Sequence, residues 1–253
     1  MTVSSPPAAA LADWPDARLS RTERTRLELL DVSERLFARH GIEGVSLRQI
    51  AQEAGKANTN VVQYHFQSKE NLLRELLRWR VLSMEAPRAE MLARAKASGR
   101  QHDVRTLLEI MCLPLLDAVD REGNRSFARV LGEYLFRLWP RVMIHPADNE
   151  PETVPALTTA IALLHQRLCY MPAPVVRMRS STCLGMFINN LDYFSDTSQR
   201  DQFELTGDVA IAECMEMMVA AMFAPLAPGT MAPDPLQDAS RVAIAGHGDQ
   251  GEV

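Results

Sequence analysis

The stretch from Ser46 to Lys69, SLRQIAQEAGKANTNVVQYHFQSK, constrains the fold more tightly than any other in the chain. Ser46 and Gln49 have the S-x-x-Q spacing of a capping box, in which each side chain satisfies an amide of the other's turn, so a helix starts there. Leu47, Ile50, Ala51 and Ala54 supply its buried face, and Gly55 can take the left-handed conformation that stops it. A second helix is expected to start near Asn58 or Thr59, both good N-caps. Val62 and Phe66, four residues apart, give its inward side. Ser68 then caps a further helix, SKENLLRELLRWRVLSM. Helices this short are not stable alone. Two of them joined by a tight turn need a supporting helix, which makes a helix-turn-helix inside a small bundle.

The support lies just upstream. Ser20 and Glu23 form another capping box, and Leu29, Leu30, Ser33, Leu36 and Phe37 recur at helical intervals. Glu28, Asp31, Glu34 and Arg35 fall largely on the other side. Gly41, after His40, is placed to end this helix in the left-handed conformation. Ile42 and Val45 are apolar residues in the link to the next helix, and Ala51 is small where two helices approach closely.

The outward side of the second short helix is polar: Asn58, Thr59, Asn60, Gln63, Tyr64 and His65. Asn and Gln can pair with adenine in the major groove, Thr can meet a thymine methyl, and Tyr can reach a phosphate. Taken singly, each of these positions reads first as plain solvated surface; six together on one short helix shift the balance to base reading. Lys69 lies in the first turn of the helix that Ser68 caps, where its charge opposes the macrodipole. A bound anion relieves that conflict, and so does solvent. Charge distribution points the same way. The chain carries −5 in all, but residues 18–80 hold twelve Lys/Arg against eight Asp/Glu, +4, which leaves −9 for the rest. A basic module on an acidic body presents one face to phosphates, although clustering on solvated helix faces gives the same count.

The segments LLDVSERLFARHGIEGVSLRQIAQEAG and YHFQSKENLL, within residues 21 to about 82, resemble the N-terminal domain of the TetR family of transcriptional regulators. The shared pattern is Phe37, Gly41, Val45–Ile50, Ala54–Gly55 and Tyr64–Leu72. The resemblance implies that Ser46 and Lys69 hold phosphates and that Arg48 reaches a base or phosphate. It also implies that Gln63, Tyr64 and His65 lie along the recognition helix. The turn KANTN is one residue longer than the family's commonest form, which bears on which of Asn58, Thr59 and Asn60 faces base edges.

Residues 83–223 read as further helices between Gly and Pro breaks. They fall at Ala89–Ala97, Asp103–Val119 with a kink at Pro114, Arg125–Trp139, Leu157–Tyr170, Val175–Phe194 and Asp208–Phe223. The expected class is all-α, a helix-turn-helix domain at 20–82 and a helical effector-binding and dimerisation domain at 83–223. The Leu- and Met-rich helices spanning about 103–170 suggest an apolar effector cavity, with Glu133, Tyr134, Arg137, His165 and Tyr170 as candidate polar contacts. Taken singly, each of these reads first as surface exposure or an ordinary satisfied hydrogen bond, ahead of ligand contact.

Two late helices carry long apolar stripes. One runs through Val176, Cys183, Phe187, Leu191 and Phe194, the other through Ile211, Cys214, Met218, Ala221 and Met222. Core packing explains such stripes; by family resemblance these two helices pair with their copies in a second subunit. The resemblance thus implies a homodimeric regulator, most simply a repressor, on a pseudo-palindromic double-stranded operator and released by a small-molecule effector.

Other classes fit less well. There is no phosphate loop, dinucleotide fingerprint, G-x-S-x-G or HExxH, and the six His show no metal-ligand spacing, so neither an enzyme nor a metal or cofactor site is expected. A helical interaction or small-molecule-binding protein without operator specificity remains the alternative. The four Cys form no CxxC pair and read as buried free thiols. The first 19 residues, rich in Ala, Pro and Ser, read as a disordered arm and no secretory signal. Residues 224–253 read as a disordered tail. No apolar run approaches the roughly 18 residues that span a bilayer, and a cytoplasmic location without membrane contact is expected.

Overall fold

The computed structural model describes residues 20–138, 150–193 and 206–230, and every regular element within them is helical. The arm at 1–19, Trp139, Phe194 and most of the tail lie outside the described residues. Helix α1 (Arg21–His40) opens with the expected capping box: Ser20 N donates to Glu23 Oε2 at 2.8 Å and Glu23 N donates to Ser20 Oγ at 3.2 Å. Gly41 ends it at φ 75°, as the sequence suggests, but with ψ 155° and so outside the left-handed helical region. Helices α2 (Leu47–Glu53), α3 (Val61–Phe66) and α4 (Lys69–Ser83) follow. Leu29, Phe37, Ile50, Val62, Leu72 and Leu76 close the core that α1 to α4 share.

Helix α5 (Glu85–Ala97) continues from α4 with only Met84 between them. Asp103 caps α6 (Val104–Cys112) by accepting from Thr106 N at 2.9 Å. At Pro114 the chain tightens into a 3₁₀ turn, Leu113–Leu116, so the expected kink is a change of helix type. Helix α7 (Ser126–Glu133) runs on into a π-helical turn, Tyr134–Leu138. Helix α8 (Pro155–Arg167) has Pro at its first position, where the missing N–H is harmless. Helices α9 (Ala173–Tyr193) and α10 (Gly207–Phe223) pack on one another. One large apolar cluster runs from α1 through α10, and Val81, Val154 and Leu157 form a second, small one.

One expectation about α1 fails. Asp31 and Glu34, placed on its solvent side from sequence, are 2% and 0% exposed. Glu34 lies four residues after Leu30 and three before Phe37, which puts it on the buried face. Its carboxylate accepts two 2.6 Å hydrogen bonds from Arg80 of α4, a bidentate pair. Arg80 Nη2 also donates to the carbonyl of Val119, in the loop before α7. In that loop Asp120 accepts from Glu122 N and Asn124 N at 2.9 Å and from Ser126 Oγ at 2.6 Å. Arg80 thereby joins the helix-turn-helix bundle to the following domain.

Candidate nucleic-acid interface and cavity

The helix-turn-helix is built from local hydrogen bonds around an apolar anchor. Ser46 Oγ accepts from Gln49 N at 3.2 Å while Ser46 N donates to Gln49 Oε1 at 2.8 Å. At the other end of α2, Lys56 N donates to Ala51 O and Gly55 N to Gln52 O, both at 3.0 Å, with Gly55 at φ 64°. That is a Schellman motif, and it needs a residue without strain at positive φ. Gly44, in the preceding link, is excluded from bearing a side chain for another reason: a Cβ there would lie 2.4 Å from the carbonyl oxygen of His40.

Helix α3 starts later than the sequence suggests. It begins at Val61, and Asn60 precedes it with no side-chain cap. Asn58 Oδ1 instead accepts from Asn60 N at 2.9 Å, folding the extra residue of KANTN into a side-chain-closed turn. Asn58 and Asn60 are exposed and Thr59 half-buried in this turn, ahead of the helix. Val62 and Phe66 are buried, so Gln63 and Tyr64 face outward, Tyr64 with 81% of its surface exposed. His65 is half-buried, and burial, aided by the nearby charges of Arg26 and Lys56, pulls its pKa below the ordinary value. A polar groove beside α3 is lined by Arg21, Thr22, Thr25, Lys56, Asn58 and His65. Arg48 is exposed on α2.

Between α3 and α4, Gln67 sits at φ 68° and ψ −46°, and Ser68 N donates to Phe66 O at 2.8 Å. This is a γ-turn with a non-Gly residue at positive φ. It lets α3 end and α4 begin within two residues. Lys69 does not point to solvent. Its Nζ donates to the carbonyls of Glu43 and Val45, each at 3.2 Å, and lies 3.7 Å from the Glu43 carboxylate. The conflict with the α4 dipole is relieved by these oxygens, and the ammonium ties α4 to the link before α2.

A sequence model described as the N-terminal domain of bacterial regulatory proteins of the tetR family matches residues 29–76, the segment that holds this geometry. The helix-turn-helix segment is thus of the tetR type. Over 123 residues it is 34% identical to the transcriptional repressor AcnR of Corynebacterium diphtheriae, covering 46% of this chain and 64% of that one. Over 95 residues it is 34% identical to the transcriptional repressor KstR2 of Rhodococcus jostii, covering 38% of this chain and 43% of that one. The chain thus spans less than two thirds of these relatives' length. Among solved structures, it aligns with NalD of Pseudomonas aeruginosa, the secondary repressor of a multidrug efflux pump, at TM-score 0.48 and 20% identity, over 79% of this chain and 97% of that one.

Beyond the TetR-type bundle, a cavity of about 220 Å³ opens between the end of α4 and helices α5 to α9. Phe127, Leu131, Leu164 and Leu184 give it an apolar wall, and Arg88, His165, Arg177, Ser180 and Ser181 supply polar atoms. Of the five candidate effector contacts, His165 lines this cavity. The others do not, for separate reasons. Glu133 accepts from Ile42 N at 2.8 Å and packs against Gly41, joining α7 to the helix-turn-helix. Tyr134 is fully buried in the core. Arg137 and Tyr170 are exposed. The sequence analysis missed Arg88, although it stands four residues before buried Leu92 and seven before Ala95, on the inward face of α5.

The proposed dimer stripe also needs correcting. Val176, Cys183, Phe187, Leu191, Cys214, Met218 and Met222 have 2% or less of their surface exposed and belong to the core of the single chain. Such side chains have no surface left to bury against a partner. Ile211 is half-buried, and Phe194 lies outside the described residues. Large apolar side chains that are exposed on these helices lie on the opposite faces: Met178 on α9 and Val209, Met217 and Phe223 on α10. Cys112, Cys183 and Cys214 are buried free thiols, with burial pushing Cys112 up to about 12; Cys169, also free, is exposed. Among the described residues no helix is long and apolar enough to cross a membrane, and no His, Cys, Asp and Glu cluster suits a metal ion.

Proposed function

We propose that the chain is a sequence-specific DNA-binding transcriptional repressor, homodimeric and cytoplasmic, released from a pseudo-palindromic operator by a small, mostly apolar effector. The carrying observation is α3: Gln63 and exposed Tyr64 project from a helix that buried Val62 and Phe66 hold against α1 and α4. Side chains held this way can enter a major groove without refolding. Repression is supported by the two relatives described as transcriptional repressors.

In this reading the cavity receives the effector and α4 carries its effect. Val81 and Met84, at the C-terminal end of α4, line the cavity, while Lys69 at the other end holds the helix-turn-helix. A ligand shifts DNA binding only by preferring one arrangement of α4 over another. The partner subunit is expected on the outward faces of α9 and α10, through Met178, Val209, Met217 and Phe223.

Fluorescence anisotropy with the chain's own upstream DNA, against random DNA of equal length at physiological salt, tests the proposal. Preferential binding that weakens steeply with salt is expected. Equal affinity for both DNAs would leave a helical binding protein without operator specificity.

A further inference from the structure

We infer that the cavity takes a small monocarboxylate with a short apolar tail, its carboxylate seated on Arg88. This rests on the effector reading above and narrows it to a ligand class.

The cavity wall holds a buried cation. Arg88 is 4% exposed. Its Nη1 donates to Val81 O at 3.3 Å, and its Nη2 to Met111 O at 3.4 Å and Met84 Sδ at 3.8 Å, all neutral and long. Its buried Nε has no partner. Glu85, one turn away, helps keep the guanidinium protonated; its Oε1 accepts from Ala156 N, and its Oε2 is buried without a hydrogen-bond partner. Burial draws the Arg88 pKa down to about 10, so it is still a cation at neutral pH. The same chain handles its other buried arginine differently: Arg80 has a carboxylate on it in two 2.6 Å bonds. A buried cation without such a counter-ion is costly, and an anion from outside relieves the cost.

The rest of the lining agrees in sign and size. Arg177 adds a second cation and Ser181 a hydroxyl, while the Ser180 hydroxyl already donates to Val176 O at 2.8 Å. His165 is held towards its neutral form by burial and by Arg177. No Asp or Glu lines the cavity among the described residues. A dianionic phosphate calls for several converging donors, whereas Arg88 keeps two N–H groups unused, on Nε and Nη1, beside walls of Phe127, Leu131, Leu164 and Leu184. A carboxylate with an alkyl chain matches both parts. At about 220 Å³ the space lies below the roughly 300 Å³ at which pockets begin to hold drug-sized ligands, so the chain must be short. The seat is also connected. Drawing Arg88 towards an anion loosens its bond to the Val81 carbonyl, in the last turn of α4.

Calorimetric titration of the full chain with butanoate, hexanoate and octanoate, beside hexanol and hexylamine, decides the matter. Hexanoate is expected to bind at least about tenfold more tightly than hexanol or hexylamine, the size of a charged hydrogen bond. In Arg88→Gln, that preference should vanish while hexanol still binds as it does to the wild-type chain and the helical circular dichroism is retained. Hexanol binding as tightly as hexanoate, no binding by any of the acids, or an undiminished acid preference in Arg88→Gln each overturns the inference. Should Arg88→Gln not fold, the acid-to-alcohol ratio on the wild-type chain decides alone. Release of operator DNA by hexanol and not by the acids refutes the ligand class and leaves the regulator intact. Arg88-dependent acid binding with unchanged operator affinity keeps the ligand class and refutes the effector role.

Discussion

Lys69 holds the helix-turn-helix in place, whereas Gln63 is proposed to read bases from it. Lys69 Nζ bridges two carbonyls of the Glu43–Val45 link, and hydrogen bonds from a charged group contribute about 1.5–3 kcal/mol each. Lys69→Ala is therefore expected to lower the stability to urea by roughly that amount and to leave the salt slope of DNA binding unchanged. A flattened salt slope would show that Lys69 contacts phosphate after all. Gln63→Ala should do the reverse, relaxing base preference at one position by about 1–3 kcal/mol with the urea midpoint unmoved. His65 adds a pH dependence. Its pKa is lowered in the free protein by burial, with Arg26 and Lys56 contributing, so it is neutral at pH 7. Nearby phosphates raise the pKa, so DNA binding takes up a proton. Affinity should then rise as pH falls through the raised, DNA-bound value and level off below the free one. Anisotropy titrations of wild type and His65→Gln across that range check this: the variant should lose the dependence.

At the scale of elements, the joints were harder to foresee than the helices. Capping boxes at Ser20 and Ser46 and the stop at Gly55 follow from local chemistry and appear in the structure as the sequence suggests. The γ-turn at Gln67 does not follow from local preference, because a non-Gly residue at positive φ is strained by about 1–3 kcal/mol. Packing of α3 and α4 on opposite sides of the turn imposes it. Gln67→Gly should remove that strain at the smaller entropic cost of glycine, raising stability by about 1 kcal/mol in urea denaturation. A loss of stability would mean that the Gln67 side chain contributes more than its backbone costs.

Across the whole molecule, Arg80, paired with Glu34 inside the first bundle, reaches the second half through the Val119 carbonyl, and the outward faces of α9 and α10 are the surface proposed for a second copy. Desolvation pushes the Glu34 pKa up, against the opposing pull of Arg80, so the pair is held in a setting that disfavours its charges. Removing one partner leaves the other charge buried alone. Glu34→Leu or Arg80→Met is each expected to cost about 3–5 kcal/mol, while the double variant recovers most of the loss. A double-mutant cycle by urea unfolding measures this, and strict additivity would sink it. On the outward faces, Met217→Glu together with Met178→Glu should convert the proposed dimer to a monomer in light scattering, with the double variant still folded by circular dichroism. A dimer that persists would move the interface elsewhere.

By itself the sequence determined what short-range rules control: an all-helical chain, the caps and stops of α1 and α2, the apolar anchor Val62 and Phe66, and the outward Gln63 and Tyr64. Each depends on residues within a turn or two of one another. Only the tertiary structure decided which partner a long side chain finds. Lys69 turned inward to two carbonyls, Glu133 left the expected cavity for the amide of Ile42, and the stripes of α9 and α10 closed on their own core. Arg88 came to line a cavity with no carboxylate on it. Helical periodicity gives the direction in which a side chain leaves its helix, but what stands opposite depends on how distant segments pack.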